Sequence, residues 1–292
     1  MVAQAKKLMA KLVKWFARVV PLDLAFSLLR VLPRSVTARL IAYVDFKTEY
    51  DVDVLGFKFK LNSGPSDDHF LDLEHNGLID WEDKTLKVWS ELSSEAEVCV
   101  DVGAYLGVYS IISALSGARE VFAIEPNPGV CKEMVANFKR NALEKKISIL
   151  NHAVGESEFK GSLLAMPNRP LSSGAHLDLG SRENIVYESN FRRYESIAIS
   201  QVDVKPLDYI LKITNSKIDL VKIDVEGYEL LVLDGATQIL REHKPVLIIE
   251  IVSEKQKDVI DNKLRNFDYG VGKLILDTRE NRNYIFKHIT KN

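Results

Sequence analysis

From Val98 onward, short apolar runs alternate with stretches whose apolar positions recur at helical spacing. Val98–Val102, Val121–Glu125, Ile147–Val154, Ile218–Val225 and Val246–Ile251 are rich in Val, Ile and Leu and read as buried strands. Tyr105–Leu115, Val130–Asn141 and the stretch opening at Tyr228 read as the helices between them. Strands separated by helices of this length predict right-handed crossovers, a mostly parallel sheet and helices on both faces. Lys273–Leu276 and Tyr284–His288 close the chain as an antiparallel pair. The fold class expected is therefore α/β.

Two departures interrupt that rhythm. Residues Gly155 to Gln201 are rich in Ser, Asn and Gly and carry Arg169, Arg182, Arg192 and Arg193, with one alternating strand at Ser196–Val204. Ahead of the alternating region, Tyr50–Leu61 alternates around Gly56 and predicts a hairpin, and Trp81–Leu92 predicts a helix. The expected organisation is an extension over 1–44, a hairpin-and-helix wall or lid over 45–92, and a nucleoside-binding domain over 93–292.

Charge changes the picture at the N-terminus. Met1–Val44 holds Lys6, Lys7, Lys11, Lys14, Arg18, Arg30, Arg34 and Arg39 against Asp23 alone, while the whole chain carries −2. Lys7, Lys11, Lys14 and Arg18 form one stripe, and Leu8, Leu12, Trp15, Phe16 and Val19 the other side of an amphipathic helix. Two readings stand: an apolar face packed on the domain, or a helix lying on an anionic membrane surface. No uninterrupted apolar stretch is long enough to cross a bilayer. A net charge near zero argues against a nucleic-acid partner. Two cysteines, Cys99 and Cys131, lie in apolar surroundings and read as buried reduced thiols in a cytoplasmic protein. The histidines show no zinc spacing, and no metal is expected.

The chemistry concentrates at the strand ends. Cys99-Val-Asp-Val-Gly-Ala-Tyr-Leu-Gly-Val-Tyr-Ser110 is a strand ending at Asp101, a glycine turn and a helix start. Gly103 permits close backbone approach, and Gly107 lets the first helical turn press on the sheet. Ala104 and Tyr105 replace the second glycine of a dinucleotide loop, which disfavours a pyrophosphate. An aspartate at position 101 suits a cationic ammonium group instead. Glu125, at the end of the next strand and followed by Pro126 and Asn127, suits paired ribose hydroxyls. The Asn151-His152-Ala153 segment falls where an adenine would lie. Lys222, Asp224, Glu226 and Glu229 cluster after the fourth parallel strand, where a buried lysine needs an acidic partner, and Glu250 reaches the same edge.

Together these residues resemble the FkbM family of methyltransferases. Asp101-Val-Gly-Ala104, Glu125-Pro-Asn-Pro128, Asn151-His-Ala-Val-Gly155, Ile223-Asp-Val-Glu-Gly-Tyr-Glu229 and Val246-Leu-Ile-Ile-Glu250 follow in that family's order, over about Gly77 to Val252. The resemblance implies a class I, Rossmann-like methyltransferase fold with S-adenosylmethionine as donor. It implies cofactor contacts from Asp101, Gly103, Ala104, Tyr105, Gly107, Ser110, Glu125, Pro126, Asn127, His152, Ala153 and Asp224. It also implies O-methylation of a hydroxyl on a sugar, glycan, lipid-linked or secondary-metabolite acceptor, with Asp224 or Glu226 orienting or deprotonating that hydroxyl. Tyr105 stands where the family commonly has Asn. Two rival readings remain: a catalytically silent nucleoside-binding module, and an NAD-dependent oxidoreductase.

Overall fold

Apolar strands that bury both faces need helices on both sides, and the chain supplies them. A computed structural model describes residues 48–63, 79–165, 176–178, 197–277 and 282–289. The basic stretch Met1–Val44 and the loop arginines 169, 182, 192 and 193 lie outside the described residues. In chain order the elements are β1 (Thr48–Val54), β2 (Phe57–Ser63), α1 (Ile79–Ser93), β3 (Val98–Val102), α2 (Val108–Ser116), β4 (Glu120–Ile124) and α3 (Pro128–Arg140). Then come β5 (Ile147–Leu150), β6 (Ala153–Val154), β7 (Phe159–Ala165), β8 (His176–Asp178), β9 (Ile197–Lys205) and α4 (Leu207–Ile210). The chain continues through β10 (Ile218–Ile223), α5 (Glu229–Asp234), α6 (Thr237–Glu242), β11 (Val246–Glu250), α7 (Glu254–Arg265), β12 (Lys273–Asp277) and β13 (Arg282–Phe286).

The central sheet has the order β12-β13-β11-β10-β3-β4-β5. Its strands β11, β10, β3, β4 and β5 run parallel, and β13 enters antiparallel beside β11. This is the Rossmann-like fold of class I methyltransferases. Strand order reverses between β3 and β10, and sheets of this kind form their ligand crevice beyond the carboxyl ends at such a reversal. Period-2 alternation sorts the side chains. Cys99, Val121, Ala123, Ile147, Leu220 and Ile248 face α1, α2 and α3. Val98, Val100, Val102, Phe122, Val221, Leu247 and Ile249 face the helices α4–α7.

The leading hairpin and α1 join the first of these faces. Leu55 and Gly56 both take positive φ, 54° and 83°, which makes the tight two-residue turn that matches strand twist. Inside the hairpin, Val52, Val54, Phe59 and Leu61 are buried. Asn137 of α3 accepts from the Asn62 N–H at 2.7 Å and donates to the carbonyls of Asn62 and Leu106. Trp89 of α1 donates its indole N–H to the Tyr109 carbonyl at 3.0 Å, with the two rings edge to face. Both cysteines are free and buried.

Three features depart from the sequence pattern. The helix expected from Tyr105 starts at Val108, because Tyr105 and Gly107 hold left-handed φ of 49° and 84°. The strand expected over Ile147–Val154 breaks after Leu150. Ala153 and Val154 leave the central sheet and pair in parallel with Val204 and Lys205 of β9. The Ser-, Asn- and Gly-rich interruption contains a second sheet of order β6-β9-β7-β8.

That sheet packs on α5 through Leu163, Leu177, Val202, Val204, Tyr228 and Leu231. Gly235 lies so close to the main sheet's neighbour loop that an added Cβ would fall 2.1 Å from the Gly155 carbonyl oxygen. Tyr228 donates its hydroxyl to the Leu177 carbonyl, tying β8 to the turn after β10. Replacing Tyr228 with Phe keeps the ring and leaves that carbonyl without the hydroxyl, at a cost of about 1 kcal/mol. Amide exchange at the Leu163–Leu177 pairing should then rise, while exchange in β3 and β10 stays unchanged. Equal protection in both proteins would show that the hydroxyl does not hold β8.

Candidate active site

The crevice is built by two turns in direct contact. β3 ends at Val102 and β10 at Ile223, adjacent and parallel, with Lys222 beside Asp101 in register. Gly103 (φ 84°) packs so tightly on the second turn that a Cβ would sit 1.8 Å from the Asp224 carbonyl oxygen. The expected freedom of Gly103 is thus spent on the neighbouring turn. Gly107 likewise presses on α3 rather than on the sheet, since a Cβ there would lie 2.5 Å from the Phe138 ring.

Lys222 is 2% exposed and points to the α2 side of the sheet. Its ammonium donates to Asp224 Oδ2 at 2.5 Å and lies 4.3 Å from the centre of the Tyr109 ring. A buried ammonium is costly unless paired, and the ion pair with the ring above supplies the pairing. Tyr109 was not among the expected site residues. Its place just inside α2, on the side facing β10, was the available signal.

Asp101 is 1% exposed and accepts from the Ser110 hydroxyl at 2.7 Å. Burial raises its carboxyl to about 6, while Lys222 and Ser110 hold it down. Ser110 is fully buried, so both expected cofactor residues sit in the wall behind the loop. Glu125 accepts the Tyr105 N–H at 3.0 Å on one oxygen and the Asn127 N–H at 2.8 Å on the other. It thereby clamps the first loop to the second, and burial pushes its carboxyl up to about 7. Asn127 caps α3 by accepting from the Gly129 and Val130 N–H groups, with Pro128 beginning that helix. Pro126 is half-buried beside it, and Ala104 is buried in the first loop. Asn151 donates to the carbonyls of Glu125 and Pro126, which closes the loop from the β5 side.

His152 is half-buried between the two sheets, and Ala153 is buried next to it. The His152 Nδ1 atom is buried with no hydrogen-bond partner among the described residues. Burial first, and Lys205 second, lower its affinity for a proton.

Glu226 is half-buried at φ 56°, and burial together with Asp224 and Glu229 pushes its carboxyl up to about 8. Glu229 is buried and accepts from the Gly227 N–H at 3.0 Å and from the Gln256 side chain. Its carboxyl rises to about 7, chiefly through burial. The Gln256 bond brings α7 to the site, a link 27 residues away in sequence that no local pattern signals. Glu250 ends β11 on the same edge, half-buried opposite Asn283. Among the described residues, no three His, Cys, Asp or Glu side chains group as a metal site. No described helix is long and apolar enough to cross a membrane.

The crevice therefore carries Asp101, Glu125, Asp224, Glu226 and Glu229 against Lys222. An acid-rich, partly dry cleft favours a cationic guest, and carboxylates at strand ends suit hydroxyl donors.

A model of the methyltransferase FkbM domain matches residues 101–271 of this chain. Hexuronic acid methyltransferase AglP of Haloferax volcanii is 27% identical over 178 residues, which cover 61% of this chain and 66% of that protein. tRNA (guanine(37)-N(1))-methyltransferase Trm5b of Methanocaldococcus jannaschii is 31% identical over 123 residues, covering 42% of this chain and 33% of that one. The chain thus spans under two thirds of the length of either relative. The solved structure of methyltransferase FkbM from Methylobacillus flagellatus KT has 18% identity and a TM-score of 0.46, covering 94% of this chain and 60% of that one.

Two expectations follow from this geometry. Gly103→Ala drives a Cβ into the Asp224 carbonyl, whereas Gly227 (φ 101°) has open space around a Cβ. Denaturant unfolding should show Gly103→Ala costing more than about 3 kcal/mol and Gly227→Ala only about 1–2 kcal/mol. Similar costs at both positions would remove the turn-to-turn contact from the account. The second concerns pH. Glu125, Glu226 and Glu229 bind protons more tightly folded than unfolded, from an ordinary 4.5 up to about 7, 8 and 7. Their stabilisation is complete below the ordinary value and is lost as pH rises through the raised ones. The melting midpoint of the protein should fall as pH rises from about 5 to about 8 and level off above that, and Glu226→Gln should shallow that fall.

Proposed function

Because the chain belongs to the FkbM methyltransferase family, we propose that it transfers a methyl group from S-adenosylmethionine to a hydroxyl of a sugar or sugar-bearing small molecule. The observation that carries this reading is the acid-rich crevice at the β3/β10 reversal, within a domain that matches the family. A sulfonium nucleoside brings a positive charge, two ribose hydroxyls and an adenine, and the residues present fit each part. The carboxylates offset the positive charge. In this reading Glu125 accepts from ribose, and its backbone donors keep it oriented. His152, with a buried unpartnered ring nitrogen, offers the adenine side a polar contact. In this reading the Gly103–Gly107 turn lies at the amino-acid end.

The donor supplies an activated methyl group with a good leaving group. The protein's work is alignment, exclusion of water and management of one proton. Asp224 and Glu226, on the turn after β10, orient or deprotonate the acceptor hydroxyl. The second sheet, anchored by Tyr228 and Gly235, forms a wall on the acceptor side. The name of the AglP relative supports a uronic-acid-bearing acceptor; the chain's net charge of −2 gives no support to a tRNA acceptor. Tyr105 in place of a second glycine weighs against a dinucleotide.

Calorimetry should show S-adenosylhomocysteine binding and NAD not binding. With labelled donor and a methyl glucuronoside, the label should appear in a base-stable ether, and Asp224→Asn should slow its appearance at least about tenfold. A base-labile product would move the methyl group from hydroxyl to carboxylate. Tight nucleoside binding without transfer to any acceptor in a cell extract would make the protein a binding module.

A further inference from the structure

Glu226 differs from every other acid of the crevice. Asp101 accepts from Ser110, Glu125 from two backbone N–H groups, Asp224 from Lys222, and Glu229 from Gly227 and Gln256. Among the described residues Glu226 has charged neighbours and no hydrogen bond. Asp224 and Glu229 repel its charge from either side along the turn and α5, and Lys222 of β10 attracts it. Across the strand pair, Asp101 of β3 shares that same lysine. Backbone geometry singles it out as well. A glutamate held at φ 56° is strained, and such strain persists where the surrounding structure fixes a side chain for use. Finally, its turn touches the Gly103 turn directly, through Asp224 and Val225 immediately before it.

Resting on the donor assigned above, we propose that Glu226 is the proton acceptor of the transfer, and that it becomes one only when the cationic donor enters and its own proton leaves to solvent. Without the donor, burial first and then the charges of Asp224 and Glu229 keep Glu226 protonated, in line with a carboxyl pushed up to about 8. A positive charge beside it reverses that balance. During transfer the Glu226 carboxylate takes the hydroxyl proton as the acceptor oxygen bonds to the methyl carbon. The electron pair of the breaking carbon–sulfur bond stays on sulfur, leaving a neutral thioether. A carboxylate facing a sulfonium becomes a carboxylic acid facing a thioether, so the net charge of the crevice is the same before and after. Product then leaves Glu226 protonated, ready for the next donor. One proton reaches solvent per cycle, as the overall reaction requires.

The test is calorimetric and needs no acceptor. S-adenosylmethionine and S-adenosylhomocysteine are titrated into wild type and Glu226→Gln in two buffers of different ionisation enthalpy near neutral pH. Wild type should release about one proton more with the donor than Glu226→Gln does, and its donor affinity should weaken up to about tenfold per unit of falling pH. The homocysteine product should show neither effect. Comparing the two proteins cancels the titration of the donor's own ammonium group. Equal proton release from both proteins would overturn the proposal. Should Glu226→Gln bind neither nucleoside, Glu226→Asp decides: it keeps the carboxyl and must keep the release. If wild type itself binds neither nucleoside, the methyltransferase reading falls with it, a result separate from binding without proton release.

Discussion

One buried positive charge organises the active edge of this protein. Lys222 lies inside an apolar strand, 2% exposed, and water cannot stabilise it there. Its ion pair with Asp224, the Tyr109 ring above it and Asp101 alongside supply the stabilisation instead. Each of those partners lies on an element that shapes the crevice: the turn after β10, the start of α2 and the end of β3. Holding the lysine therefore holds the geometry. The surrounding carboxylates outnumber it, and that imbalance leaves room for a second cation from outside.

The frame around this charge was legible because its signals are local. Val98–Val102 appears as a strand with the expected bounds, and β4 and β11 within one residue, since runs of buried β-branched residues admit few alternatives. Alternate residues on a strand share a side, which puts Lys222 and Asp224 together; of the two acids open to the lysine, Asp224 and Glu226, it is Asp224 that pairs with it. Glu125 and Asn127 fell at a strand end before a proline-led helix start, a pattern with its own capping logic.

What escaped was set by distance or by backbone conformation. Tyr105 in a left-handed conformation delays α2, and no propensity rule expects a tyrosine there. The strand β7 was hidden because Lys160, Gly161 and Ser162 separate its apolar positions Phe159 and Leu163. Contacts such as Gln256 with Glu229 and Asn137 with Leu106 join elements far apart in the chain. Gly103 and Gly107 do other duties than a local reading assigns them. Their space is filled by Asp224 and Phe138.

The break after Leu150 has a consequence for how such a scaffold diversifies. β6 leaves the central sheet and immediately pairs with the far end of the same excursion, Ala153 beside Val204 and Val154 beside Lys205. Entry and exit are stitched together, so everything between them is a closed detour whose ends stay put. Residues there can be traded, lengthened or trimmed without shifting the strands that carry Asp101, Glu125 or Lys222. A lineage of this shape can rewrite one cassette and inherit the central sheet intact.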